Sequence, residues 1–268
     1  PDCGAMQVLP ISWAVPPKSG TPEKANASMI IKAIKDAAEY IQNGQAAAMV
    51  TNPIAKANLY EAGFTYPGHT EFLGSLCSPD KGAPLMMLAC DNLRVVPLTV
   101  HIPLADVASR ITPEAIIDAC HLIAKSLRQF EQINDPHIAV CGLNPHAGEQ
   151  GSMGQEDATI IAPAIAILRA QNINVTGPYP ADTLFHPEAR SKYDVALGMY
   201  HDQVLIPLKT IDFYGGVNIT LGLDFIRTSP DHGTGFDIAG QGLARPDSLI
   251  AAITQARRMA DSQATSNA

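Results

Sequence analysis

Residues 138–149 read I-A-V-C-G-L-N-P-H-A-G-E: an apolar run of strand length, a break at Asn144-Pro145, and a histidine just past the break. A short apolar run bounded by turn residues suits a strand buried on both faces, the kind found in parallel sheets covered by helices. The motif recurs on either side. Residues 93–100 lead to His101, and residues 194–200 lead to His201. Helical periodicity fills the intervals, at 113–130 and again at 156–171, and this alternation predicts an α/β protein with a largely parallel sheet.

Working outward, residues 23–43 place Ile30, Ile31, Ile34, Ala37, Ala38 and Ile41 at helical spacing, with Gly44 as the stop. Residues 46–50 form a buried strand that breaks at Thr51-Asn52-Pro53, and 56–62 suit a short helix. Residues 85–90 and 93–100 are strands, a strand starts at Val175, 247–259 is a helix, and 261–268 is expected to fray.

The 268 residues suffice for one large domain or for two lobes sharing a cleft. A formal net charge of −8 argues against nucleic acid and anionic lipid as partners, since both need a basic face. No apolar run approaches the ~20 residues of a membrane helix and no signal-peptide pattern opens the chain, so it reads as cytoplasmic. Cys3, Cys77, Cys90, Cys120 and Cys141 are odd in number and lack C-x-x-C spacing, which leaves them as ordinary thiols.

His101, His146 and His201 each follow a predicted strand, where α/β sheets collect ligands. Singly, each is as readily a loop residue satisfied by hydrogen bonds; three in matching contexts point to a metal site with positions open for catalysis. Asp202, Asp106 and Glu149 lie close enough in sequence to orient such ligands. Between residues 209 and 232, Lys209, Asn218 and Arg227 suit a phosphate or carboxylate, although spacing alone allows solvated surface charges equally. Pro67-Gly68-His69-Thr70-Glu71 is a polar loop opening a helix, where free N–H groups favour an anion. The glycine-rich loop at 142–154 does not match the G-x-G-x-x-G fingerprint, and neither a G-x-S-x-G elbow nor a Walker lysine is present.

The segments PGHTEF (67–72), HIPL (101–104), GLNPHAGE (142–149), ADTLF, MYHDQ and GVNITLGLDFIRTSPDHGT resemble, in order, those of the 4-hydroxythreonine-4-phosphate dehydrogenase family of vitamin B6 biosynthesis. The resemblance covers nearly the whole chain. It implies an isocitrate/isopropylmalate dehydrogenase-like fold of two α/β/α lobes flanking a cleft, residues 1–66 with 206–268 forming one lobe and 67–205 the other. It implies NAD or NADP and a divalent ion (zinc, magnesium or cobalt) as cofactors, a small phosphorylated hydroxy acid as substrate, and a homodimer. His101, His146 and His201 match the family's metal ligands, shared between subunits. His69, Thr70, Lys209, Asn218 and Arg227 match its substrate-binding residues; the catalytic group is left open, with Asp202 and Lys209 as candidates. The strand and GDPAGxGPE-like loop on which the family opens have no counterpart here, so the chain reads as starting partway in and the first lobe as incomplete. Runner-up readings are a dehydrogenase of threonate or erythronate 4-phosphate, a metal-dependent hydrolase or lyase, and a non-catalytic binding protein.

Overall fold

The structure, a computed structural model, describes residues 7–78 and 82–266; Cys3 lies outside them. Eight strands form one sheet: β1 (Ala48–Val50), β2 (Leu85–Cys90), β3 (Leu93–Thr99), β4 (Ile138–Cys141), β5 (Val175–Tyr179), β6 (Val195–Tyr200), β7 (Val217–Leu221) and β8 (Ile226–Pro230). Their spatial order is β1-β8-β7-β2-β3-β6-β4-β5. Strands β3, β6, β4 and β5 run parallel, as the apolar runs predict. The middle does not: β8, β7, β2 and β3 pair antiparallel in succession. Beyond them β1 pairs parallel with β8, and it is β7 and β8 that carry polar residues among apolar ones.

Nine helices accompany the strands among the described residues. They are α1 (Ala27–Gln42), α2 (Lys56–Glu61), α3 (His69–Gly74), α4 (Val107–Arg110), α5 (Pro113–Glu131), α6 (Ala162–Ala170), α7 (Pro187–Arg190), α8 (His201–Ile211) and α9 (Asp247–Ser266). Helix α5 begins where Thr112 Oγ1 accepts the N–H of Ala115 at 3.2 Å, with Pro113 in the first turn, where a missing N–H costs nothing. Helix α1 ends at Gly44, whose φ of +71° suits a residue without a Cβ. One expectation is corrected: the segment expected to fray continues α9 through Ser266. His201 stands just past its strand, as read, and is the first residue of α8, a helix whose pattern is interrupted by Pro207.

The two-residue period of the strands sorts side chains between the faces. Met87, Ile138, Val140, Val195, Leu197, Val217 and Ile219 pack on one face with α5, α6 and α9. Leu88, Val95, Ala139 and Ala196 point the other way, where Val204, Leu205 and Leu208 of α8 cover them. A separate cluster joins α1, α2 and α3 to Met49 of β1. Burial pushes the Cys120 and Cys141 thiols up to about 12, as expected of inert core residues. Among the described residues no helix is long and apolar enough to cross a membrane.

Candidate active site

On the face that α8 covers at β3 and β6, the helix gives way at β7 and β8 to a cavity of about 600 Å³. Strand parity explains its polar lining. Val217, Ile219 and Leu221 are spent on the α9 side, so Asn218 and Thr220 face the opposite way. Residues directly opposite on a paired strand share a face, and Asn218 pairs with Ser229. Arg227 comes up on this face too. Its Nη1 donates to Thr220 Oγ1 at 2.9 Å, and its Nε and Nη2 donate to Thr51 Oγ1 at 3.1 and 2.7 Å.

Arg227 is only 3% exposed, yet among the described residues its partners are hydroxyls and no carboxylate. Burial lowers its pKa to about 10, which leaves it charged at neutral pH. A buried cation without a counter-ion is costly, and an incoming anion relieves that cost. Beside it the Asn218 Oδ1 is buried without a hydrogen-bond partner among the described residues, an acceptor available to a hydroxyl or an ammonium. His69 and Thr70, the first residues of α3, line the same space. Burial, aided by the charges of Arg227 and Lys56, pushes the His69 imidazole down to about 4, so it is neutral. Lys209 enters from α8 with its ammonium 2.7 Å from Asp231 Oδ2 and 5.5 Å above the Phe213 ring centroid.

The cavity extends to His101. Parallel pairing sets Thr99 of β3 beside Tyr200 of β6, so the residues just beyond both strands emerge together. The His101 and His201 rings lie 6.0 Å apart between centroids. His201 Nδ1 stands 2.6 Å from Asp202 Oδ1; a proton on Nδ1 leaves Nε2 available as a ligand. Partial burial, with Lys56 and His201 nearby, lowers the His101 pKa and favours the neutral ring that a metal requires.

The sequence model described as pyridoxal phosphate biosynthetic protein PdxA matches residues 2–256. The chain belongs to the PdxA family. It is 54% identical over 260 residues to 4-hydroxythreonine-4-phosphate dehydrogenase of Caulobacter vibrioides, covering 96% of this chain and 78% of that one. It is 49% identical over 263 residues to the Xanthobacter autotrophicus protein of the same name, covering 97% and 75%. A crystal structure of 4-hydroxythreonine-4-phosphate dehydrogenase from Klebsiella pneumoniae superposes with a TM-score of 0.81 at 41% identity, over 90% of this chain and 73% of that one.

In this PdxA chain all five residues expected to bind substrate line one cavity, and His101 joins them. His101 and His201 come together, but among the described residues no three His, Cys, Asp or Glu side chains stand close enough to hold a metal ion. Asp202 faces a different groove, beside Phe185 and Ile206, while Lys209 lines the cavity.

His146 is presented by an unusual loop: it and the next four residues, through Gln150, all have positive φ, from 41° to 79°. Left-handed backbone costs roughly 1–2 kcal/mol for each non-glycine residue, so something must hold it. Buried Asp157 does, its carboxylate accepting the backbone N–H groups of Leu143 and Asn144 at 2.8 and 3.1 Å and Asn144 Nδ2 at 2.9 Å. Gly142 is required here, because a Cβ would lie 2.6 Å from Asp157 Oδ1.

Sequence reasoning missed Thr51 and Thr220, which orient Arg227, and Asp231 and Lys56, which also line the cavity or its edges. Thr220 was readable as the residue two beyond Asn218 on an alternating strand. Thr51 and Asp231 carried no local signal.

Proposed function

We propose that this PdxA chain is an NAD- or NADP-dependent dehydrogenase that oxidises the hydroxyl of 4-phosphooxy-L-threonine and decarboxylates the product to 3-amino-2-oxopropyl phosphate. The observation that carries the reading is the convergence on one cavity of a buried Arg227 with hydroxyl partners, neutral His69, Asn218, Lys209 and His101. A phosphate dianion fits Arg227 with the N-terminus of α3, and the substrate's hydroxyl or ammonium fits the unpartnered Asn218 oxygen. Lys209, paired with Asp231 at 2.7 Å, is a candidate for moving a proton to or from bound substrate, and serves as base once its own proton has passed to Asp231. Fixing both ends of the substrate orients the reacting carbon.

The metal ligands in this reading are His101, His201 and His146, with one contributed across a homodimer. The donor chemistry fits, since His101 tends to neutrality and Asp202 orients His201. Leu104 and Ile206, 71% and 63% exposed, follow the two histidines in sequence and offer apolar surface to a second copy. A divalent ion there supplies Lewis acidity toward the substrate hydroxyl and the ketone that replaces it.

The nicotinamide has room in a second cavity of about 750 Å³ that shares Asn52, Pro53, Ile54 and His69 with the first. Trp13, Ile30, Ile34 and Phe236 give that cavity apolar walls suited to a planar ring. In the proposed division into lobes, 1–66 with 206–268 against 67–205, the substrate cavity draws walls from both: Lys209, Asn218 and Arg227 from one, His69, Thr70 and His101 from the other.

The deciding experiment follows nicotinamide reduction with 4-phosphohydroxythreonine before chelation, after it, and after zinc, magnesium or cobalt is restored. Reduction that vanishes and returns supports the reading. Inertness toward this substrate, with turnover of threonate or erythronate 4-phosphate, moves the assignment to a sugar-acid dehydrogenase.

A further inference from the structure

The cationic groups facing the cavity are not equivalent. Lys209 is already neutralised by Asp231 at 2.7 Å. Arg227 has only hydroxyl partners among the described residues. Lys56, at the start of α2, has neither a hydrogen bond nor an ion pair among the described residues, yet it lines the cavity. Arg227 and Lys56 therefore face one space with no ion-pair partner among the described residues, one buried and fixed, the other exposed on a flexible stem, and the Glu71 carboxylate is the anion that shares the Lys56 end of the cavity.

Lys56 reaches the turn that opens α3: a Cβ built on Gly68 would sit 3.5 Å from Lys56 Nζ and 3.3 Å from Glu71 Oε2, so both side chains end beside that glycine. The Lys56 charge acts on both His69 and His101, which places the ammonium within electrostatic reach of both ends of the cavity.

Resting on the dehydrogenase reading above, we propose that Lys56 is a substrate-binding, specificity-determining residue whose ammonium receives the carboxylate of a doubly anionic substrate while Arg227 holds its phosphate. The assignment of ends follows from donor density. A phosphate carries about −1.5 to −2 charges and three acceptor oxygens, which calls for the guanidinium together with His69 and Thr70. The carboxylate, a single charge, needs one point donor. It must also lie near the reacting hydroxyl, hence near His101, because the carbon that loses carbon dioxide is adjacent to the one oxidised.

Calorimetric titration of the wild-type chain and its Lys56→Gln and Lys56→Arg variants tests this with two ligands. The first is 4-phosphohydroxythreonine; the second is phosphoethanolamine, which keeps the phosphate and ammonium but lacks the carboxylate. Lys56→Gln should weaken the first about tenfold and the second less than about twofold, as expected for loss of one charge-assisted contact. Lys56→Arg should bind the first within about threefold of wild type, and in turnover Lys56→Gln should raise KM with little change in kcat. Unchanged binding of both ligands by Lys56→Gln, equal weakening of both, or no binding of either by the wild type would overturn the proposal. A wild-type chain that binds 4-phosphohydroxythreonine with this Lys56 dependence but reduces no nicotinamide would count against the dehydrogenase reading alone.

Discussion

The antiparallel middle of the sheet and its parallel half each present a polar site, and they are built in opposite ways. On β7 and β8 the proposed anion-binding residues Asn218 and Arg227 project from strands, and Arg227 is fixed by three hydrogen bonds to two threonine hydroxyls of the same chain. At the ends of β3, β6 and β4 the histidines stand beyond the strands; only His101 and His201 meet, and His146 rides on a strained left-handed loop. Strands hold side chains rigidly because both neighbours fix the backbone. Positions just past strand ends, in a loop or at a helix start, present side chains outward, where a second molecule can complete the set. The first site is therefore expected to be preorganised within one chain, and the second to be assembled.

The sharpest way to break this contrast is Arg227→Met. Activity should fall about a thousandfold in kcat/KM, because the anion loses its buried partner. Thermal stability should hold or rise by roughly 1 kcal/mol, since an unpaired buried charge is replaced by an apolar side chain. A large loss of stability would show that Arg227 is structural. Next in size, His101→Ala and His201→Ala should each lower turnover about a hundredfold together with bound divalent metal measured by elemental analysis, and Asp202→Asn about tenfold. Full metal content in both histidine variants would remove the assembled site from the comparison.

A smaller effect belongs to His69. Its pKa near 4, against an ordinary 6.5, means that between those values the unfolded chain takes up a proton that the folded chain refuses. Its contribution to stability is therefore complete above the upper value and is lost as the pH falls toward the lower one. Melting curves of His69→Gln should fall less steeply with acid than those of wild type, by the equivalent of roughly 1–2 kcal/mol after allowance for partial exposure. Parallel curves would mean that the imidazole is not held neutral. The smallest signal is optical: Trp13, the one tryptophan of the chain, is 42% exposed in the wall of the apolar cavity, and its emission should change saturably as NADH is added. Emission indifferent to NADH while turnover proceeds would move the nicotinamide elsewhere.

Much of this molecule was legible before folding. Apolar periodicity located β2, β3, β4 and β6 and the helices α1 and α5 within a residue or two at most ends, since those patterns are local and strongly periodic. Motif resemblance named the five residues that share the cavity. The polar strands β7 and β8 and the proline-bearing α8 were obscure, because half-apolar alternation and an internal proline resemble loop sequence.

What the amino-acid order determined by itself is the type of each element, which side chains share a strand face, and the family to which the segments correspond. Tertiary structure alone decided that the middle strands run antiparallel, that Thr51 reaches Arg227 across 176 positions of chain, and that Asp231 and Lys56 join the cavity. The reason is physical. Periodicity records which side of an element is buried, whereas strand direction and long-range partners depend on how separate elements pack, and no local pattern carries that information.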